Sequence, residues 1–117
     1  MKMTQIKVRN MQSPDGNDVP NQFHIRTEDG TYFQSYKSII AFIPHSGKII
    51  LDKATWNYSV TTGKYRNQFL NETKKETEVK IENGVYIPSV AEQEEFFFRF
   101  YDSSDELQRS VGHEKDR

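Results

Sequence analysis

The apolar run Ile39–Ile43 constrains the fold more than any other stretch of this sequence. Its residues are apolar without interruption, so a strand here cannot alternate between a core and water and needs cover on both faces. The turn signal PHSG follows at 44–47, and a second strand-like run occupies 48–52. The segment therefore predicts two consecutive strands of a sheet that other elements cover.

Alternating residues extend this sheet toward the amino terminus. Phe23 and Ile25 alternate with polar residues before the turn signal at 28–30, which predicts a hairpin. A further strand is predicted near the start of the chain, followed by a loop through the turn-rich NMQSPDGNDVPN. We therefore expect an amino-terminal strand and flexible loop over 1–20 and one core domain over 21–101.

The aromatic-rich stretch TWNYSVTTGKYRNQFLNET predicts a helix that covers the sheet. Tyr65, Phe69 and Leu70 fall at i, i+4 and i+5, which places them on one helical face. We predict a helix near 62–71 whose aromatic residues, together with Trp56, pack into the core. The candidate amino-terminal caps are Ser59, Thr61 and Thr62.

The polar residues of this helix are expected on its other face. Packing of the core does not account for them, and most of them are basic or carry amides, so they are candidates for contact with a partner. With the lysine that precedes the helix, the candidate partner-binding residues are Lys53, Lys64, Arg66, Asn67 and Gln68.

The carboxy-terminal third predicts a second helix. The stretch ETKKETE indicates a charged connector, and Asn83-Gly84 is a turn signal between short apolar runs. Ser89 and Glu92 have the spacing of a capping box, which predicts a helix near 90–101. The alternation of phenylalanines at 96, 98 and 100 also suits a strand, and this alternative stays open. The polar residues 102–117 are expected to form an acidic, disordered tail.

Together these patterns predict an α+β fold, in which a mostly antiparallel sheet of five or six strands packs against a helix near 62–71 and a carboxy-terminal helix near 90–101. Charge is distributed unevenly over this fold, although the net charge is only −1. Residues 37–71 carry five basic side chains and one acidic, whereas residues 91–117 carry eight acidic and four basic. The two segments are either solvated faces that attract each other, or a basic face for an anionic partner with an acidic tail that limits promiscuous binding. The candidate acidic surface comprises Glu92, Glu94, Glu95, Asp102, Asp105 and Glu106.

Several classes of site are excluded by composition and spacing. The chain has no cysteine, which excludes disulfides, thiolate metal sites and a cysteine nucleophile. Its three histidines have no metal-ligand spacing, and Gly63-Lys64 lacks the first glycine and the Ser/Thr of a phosphate loop. We therefore expect a non-enzyme without catalytic residues, cofactor or metal. The sequence has no membrane-length apolar run and no signal peptide, so we expect a cytoplasmic protein.

The motif W-x-Y-S-x-T-T-x-K-Y-R-N-x-F-L, at 56–70, resembles a family of small proteins of unknown function from phages and mobile elements of low-GC Gram-positive bacteria. The segments FQSY at 33–36 and Ile40-Ala41 belong to the same resemblance, which covers Asn21 to Tyr86. It implies a setting in a bacterial host and no catalytic residues. The amino-terminal arm and the acidic tail lie outside it.

This setting implies a function by analogy. Small phage proteins without catalytic motifs often act by binding, and anti-CRISPR inhibitors of host defence nucleases are an example. We therefore expect an accessory protein that binds a host or phage protein, with a defence nuclease as one such target. The alternative is a nucleic-acid-binding module that uses the basic face of the 62–71 helix.

Overall fold

The computed structural model describes residues 5–94 and 97–102. Within these residues the chain forms one seven-stranded sheet and two helices. The strands are β1 (Lys7–Gln12), β2 (Asp18–Thr27), β3 (Gly30–Ser35), β4 (Ser38–Pro44), β5 (Ile50–Asp52), β6 (Ile87–Glu94) and β7 (Phe97–Asp102), and the helices are α1 (Val60–Leu70) and α2 (Lys74–Glu82). Neither helix is long and apolar enough to cross a membrane.

The strands lie in the sheet in the order in which they occur in the chain. Every neighbouring pair is antiparallel except β5 and β6, which are parallel. Parallel neighbours need a long crossover connection, and the connection between β5 and β6 contains both helices. The predicted α+β fold with a mostly antiparallel sheet is therefore confirmed.

Two hydrophobic clusters lie on opposite faces of the sheet. Phe33, Ile40 and Leu51 belong to the cluster on the helix side, where they pack with Tyr65 of α1 and other residues. The second cluster, on the other face, contains Ile25, Tyr32, Ile39 and Ala91. Ile39 and Ile40 of β4 thus enter different clusters, so the expectation that this apolar strand is covered on both faces is confirmed.

Helix α1 confirms the helix predicted near 62–71, although it starts two residues earlier. Ser59 is its amino-terminal cap, and the Ser59 Oγ accepts a hydrogen bond from the Thr62 backbone N–H at 3.1 Å. Asn71 ends the helix in the left-handed conformation, with φ of 57°. Tyr65 is buried, and the half-buried Phe69 packs against the same cluster, as predicted.

Helix α2 was not predicted, because the stretch ETKKETE indicates a charged connector and the apolar runs beside Asn83-Gly84 are short. Its start is nevertheless marked by a capping box. The Thr73 Oγ1 accepts from the Glu76 N–H at 3.1 Å, and the Glu76 carboxylate accepts from the Thr73 N–H at 2.8 Å. The Asn83-Gly84 turn signal marks the end of this helix and not a hairpin.

The predicted helix near 90–101 is wrong, because this segment forms β6 and β7. Ser89 does not cap a helix; it is buried within β6 and pairs with Asp52 of β5. The Asp52 carboxylate also accepts a hydrogen bond from the Ala91 N–H at 2.8 Å. Pairing with the open edge of β5 therefore overrides the local capping signal.

The amino-terminal segment belongs to the sheet. β1 pairs with β2 from Lys7↔Arg26 to Gln12↔Asp18, so much of the predicted loop is strand. A tight turn remains, in which the Gly16 N–H donates to the Ser13 carbonyl at 2.8 Å. At the other end, the tail predicted over 102–117 lies outside the described residues except for Asp102.

Candidate functional site

Four basic side chains share one face of the sheet at its β1–β2 end. Strand register causes this, because Lys7 pairs with Arg26 and Arg9 pairs with His24, and alternate residues of a strand point to the same side. That side is the helix side, since His24 also pairs with Phe33 and its ring contacts Phe69 of α1. We call the surface around these four residues the basic cleft.

The basic cleft consists of two adjoining hollows. The larger has a volume of about 450 Å³ and the smaller about 110 Å³, and Arg9 and His24 line both. Lys7 and Arg26 line only the smaller hollow, together with Val8. The larger hollow has a different lining, which comprises Asn10, Met11, Gln12, Thr31, Ile43, Gln68 and Phe69.

The carboxy-terminal half of α1 forms one wall of the larger hollow. Gln68 Nε2 donates to the Gln12 carbonyl at 2.9 Å, which connects α1 to β1. The Phe69 ring lies with its centroid 5.9 Å from that of His24, edge to face, and 5.6 Å from that of Phe33. These contacts fix an aromatic ring and an amide in the lining of the larger hollow.

The charged side chains in the described lining of the cleft are all basic. None of the described residues that line either hollow is acidic, although the Asp18 carboxylate contacts the lining, where it accepts from Gln12 Nε2 at 3.3 Å. Burial lowers the pKa of His24, and the positive charges of Arg9 and Arg26 lower it further. His24 is therefore predominantly neutral at pH 7, and the arginines and the lysine carry the charge.

Arg9, Lys7 and Arg26 are exposed and available for binding. No carboxylate of the described residues forms an ion pair with any of them. An anion that enters the cleft would therefore meet three cationic side chains without displacing a neighbouring acid. Amides and apolar groups would surround the rest of such a ligand.

The five predicted partner-binding residues do not form one surface. Lys53 is exposed in the turn after β5, and Lys64 is exposed on α1 with Nζ 5.4 Å from the centroid of the Tyr65 ring. Gln68 lines the basic cleft. We predicted that Arg66 lies on the exposed face of the helix, and this is wrong because only 1% of Arg66 is exposed. The half-buried Asn67 accepts a hydrogen bond from it.

Arg66 holds the segment before α1 against the helix. Its Nη1 donates to the Trp56 carbonyl at 2.7 Å and to Asn57 Oδ1 at 3.3 Å, and its Nη2 donates to Asn67 Oδ1 at 2.7 Å. The guanidinium carbon also lies 5.1 Å from the centroid of the Trp56 ring. Burial lowers the pKa of Arg66, whereas the charges of Glu72 and Glu78 act in the opposite direction. The hydrogen-bond acceptors of the Arg66 guanidinium are thus neutral oxygen atoms.

A second surface lies at the amino-terminal end of α1. It is an open groove of about 600 Å³, which we call the α1 groove. Val60 is 90% exposed and Tyr58 is 47% exposed at this surface. The groove is lined by Asn57, Tyr58, Ser59, Val60, Gly63, Lys64, Arg66, Asn67 and Lys74.

A buried carboxylate connects α1, α2 and the start of β6. The side chain of Glu72 is only 4% exposed, and it accepts hydrogen bonds from Thr77, Lys80 and Tyr86 at 2.6, 2.6 and 2.8 Å. Burial alone would raise the pKa of Glu72, but the three donors outweigh burial and the pKa is lowered. Thr77 and Lys80 lie on α2 and Tyr86 directly precedes β6, so this cluster holds the turn after α1 against these segments.

The predicted acidic surface is placed only in part. Glu92 and Glu94 occupy alternate positions of β6, and Asp102 ends β7. Glu95, Asp105 and Glu106 lie outside the described residues. The described residues therefore place only three of the six, and the acidic surface stays a prediction.

The basic cleft was not predicted from the sequence, although its signal is present. Lys7-Val8-Arg9 and His24-Ile25-Arg26 both alternate basic and apolar residues. Each strand alone indicates only a solvated face. The charges become one site because the register sets the two triplets side by side.

Comparison with known proteins gives a family but no function. No curated protein and no solved structure matches the chain. A family model matches residues 1–84, which include β1 to β5 and both helices. The match includes the amino-terminal arm, which we had expected to lie outside the resemblance. The chain therefore belongs to a family of unknown function, DUF8033.

Proposed function

We propose that this protein is a non-catalytic binding protein that takes nucleic acid into the basic cleft. The observation that supports the proposal is the convergence of Lys7, Arg9 and Arg26, with His24, in a concave surface whose described lining lacks acidic residues. Neutralisation of phosphates by lysine and arginine supplies most of the affinity in sequence-independent binding to nucleic acid.

The arrangement of the cations suits a phosphodiester chain. Same-face residues in a strand are two positions apart, so the Lys7–Arg26 row and the Arg9–His24 row are separated by about 7 Å. A linear polyanion can therefore contact successive rows. The helix face that the sequence suggested is less suitable, because Arg66 is buried and engaged within the fold.

The test is the salt dependence of binding to a fluorescein-labelled oligonucleotide, followed by anisotropy. We expect binding at 50 mM salt that weakens steeply as salt is raised. Replacing Lys7 and Arg9 by alanine removes two phosphate contacts, so the slope of log K against log salt should fall by about 2.

The matched control replaces Lys64 and Lys75 by alanine, which removes the same charge from exposed positions outside the cleft. This variant should retain the slope of the natural protein. The proposal is wrong if the natural protein does not bind at 50 mM salt, or if the slope falls as much in the control variant as in the cleft variant.

A second candidate function is binding of a protein through the α1 groove. The exposed Tyr58 and Val60 beside Lys64 and Lys74 favour it, since protein interfaces combine aromatic and apolar contacts with a polar rim. In the phage setting implied by the sequence motif, the partner is a host or phage protein in the bacterial cytoplasm, such as a defence nuclease.

This candidate is tested by inhibition of a purified defence nuclease of such a host. Val60→Asp introduces a charge into the groove and should abolish inhibition, whereas Val79→Asp, at another exposed valine, should not. Equal inhibition by all three proteins would exclude the groove as the inhibitory surface.

A further inference from the structure

We propose that the basic cleft seats one unstacked base of a single strand, with the flanking phosphates on its cations. This inference rests on the proposed function and adds the class of nucleic acid. Single-stranded nucleic acid is expected to bind more tightly than a duplex of the same sequence.

The lining of the cleft has a cationic part and a part with apolar surface, as a nucleotide has a charged phosphate and a base with apolar faces. Lys7, Arg9 and Arg26 surround the smaller hollow, and Met11, Ile43 and Phe69 contribute apolar surface to the larger one. A nucleotide likewise carries its charge at the phosphate and its apolar faces at the base. The common boundary of the two hollows, at Arg9 and His24, places phosphate and base in adjoining compartments.

The larger hollow also has the size of a ligand site. Its volume of about 450 Å³ is within the range of roughly 300–1,000 Å³ typical of small-molecule pockets. A flat sheet face that bound only phosphates would not need such a compartment. Here the last turns of α1 form one side of the larger hollow, because the hydrogen bond from Gln68 to Gln12 holds them beside β1.

An aromatic ring is present where a base would enter. Phe69 is half-buried, and its position is fixed by ring contacts with Phe33 and His24. Contact between bases and aromatic side chains is the common mode of binding to single strands, and it tolerates any base. In a duplex each base is stacked and paired, so it must first be extruded, which weakens binding.

Three probes of equal length test the inference by anisotropy. The probes are a mixed-sequence single strand, the corresponding duplex, and a strand with the same phosphates in which abasic residues replace the nucleosides. We expect the normal strand to bind about tenfold more tightly than the abasic strand, because only the former supplies a base. The duplex should also bind more weakly than the normal strand.

The outcomes separate this inference from the proposed function. If the normal and abasic strands bind equally, the phosphates alone are recognised; the base seat is then wrong and the proposed function stands. If the duplex binds as tightly as the single strand, the base seat is also wrong. If no probe binds at 50 mM salt, both proposals fail.

Phe69→Leu provides a second test that keeps an apolar residue in the core. It should weaken binding of the normal strand several-fold and leave binding of the abasic strand unchanged. An equal effect on both strands would mean that the ring supports only the fold, which contradicts the base seat. Far-UV circular dichroism checks that the variant is folded, and the comparison of probes on the natural protein does not depend on this variant.

Discussion

Arg66 shows why charge was a poor guide to exposure at the level of single residues. Thr62 and Arg66 are four positions apart, so they share one face of α1, and both are almost fully buried. The Thr62 Oγ1 lies 2.8 Å from the Ser35 Oγ of β3, in a polar contact between helix and sheet. The buried stripe of α1 is therefore partly polar, and hydrophobic periodicity does not reveal it.

Replacing Arg66 by methionine should destabilise the protein by about 2–4 kcal/mol, because the Trp56 carbonyl and the Asn67 Oδ1 lose a charged donor. Urea denaturation measures the change. Lys64→Met removes a cation from an exposed position of the same helix and should change stability by less than about 0.5 kcal/mol. Equal stability of the two variants would contradict the structural role of Arg66.

Glu72 should make stability depend on pH in the acidic range. Its pKa is lowered in the folded state from the ordinary value of 4.5, so its contribution is complete above pH 4.5. The contribution is lost as the pH falls through the lower folded pKa, where the carboxylate takes up a proton and its acceptor bonds weaken.

Glu72→Gln isolates this contribution from that of the other carboxylates. The variant should be less stable than the natural protein at pH 7, since glutamine carries no charge for Lys80. The difference between the two proteins in urea denaturation should shrink between pH 5 and pH 2. A constant difference over this range would show that Glu72 does not titrate as described.

At the level of elements, local signals sufficed where one stretch of chain decides the structure. The cap at Ser59 and the face of Tyr65 and Phe69 predicted α1. By contrast, the Ser89–Glu92 and Thr73–Glu76 spacings are equivalent as capping boxes, and only the second one caps a helix. The open edge of β5 decides between them, and this edge is not visible in the local sequence.

The candidate site was less predictable than the elements, for the same reason. Gln68 is the one predicted binding residue that lines the basic cleft. The cations of the cleft depend on the pairing of β1 with β2 in one register, and a slip by one residue would move Lys7 and Arg9 to the other face. Register is fixed by tertiary contacts, so spacing along the chain could not supply it.

The capping box of α2 yields a prediction for this element. Thr73→Ala removes the acceptor of the Glu76 N–H and should lower the free energy of unfolding by about 1 kcal/mol. Lys75→Ala, two positions further on at an exposed site, is the control and should not destabilise the helix. If both variants unfold at the same urea concentration, the cap does not contribute to stability.

For the whole molecule, the family match ends earlier in the chain than the folded sheet does. The match ends at residue 84, whereas β6 begins at Ile87 and is needed to complete the sheet beside β5. β6 also supplies Ala91, which is 5% exposed, to the second hydrophobic cluster. The family match thus covers less of the chain than the hydrophobic clusters do.

A chain of residues 1–84 should therefore lack a cooperative unfolding transition. It loses a member of the second cluster and leaves the nearly buried Asp52 without the Ala91 N–H. Urea denaturation followed by near-ultraviolet circular dichroism compares it with the full chain. A transition as steep as that of the full chain would show that β6 is dispensable.

The parallel pairing of β5 with β6 has a consequence for the order in which the protein can be built during translation. β1 to β5 pair with their neighbours in the chain through short connections, so they can assemble as soon as they leave the ribosome. The partner of β5 emerges only after both helices have been synthesised. Until then the nascent chain exposes an unpaired strand edge, and the helical crossover determines how long that edge stays open to other chains.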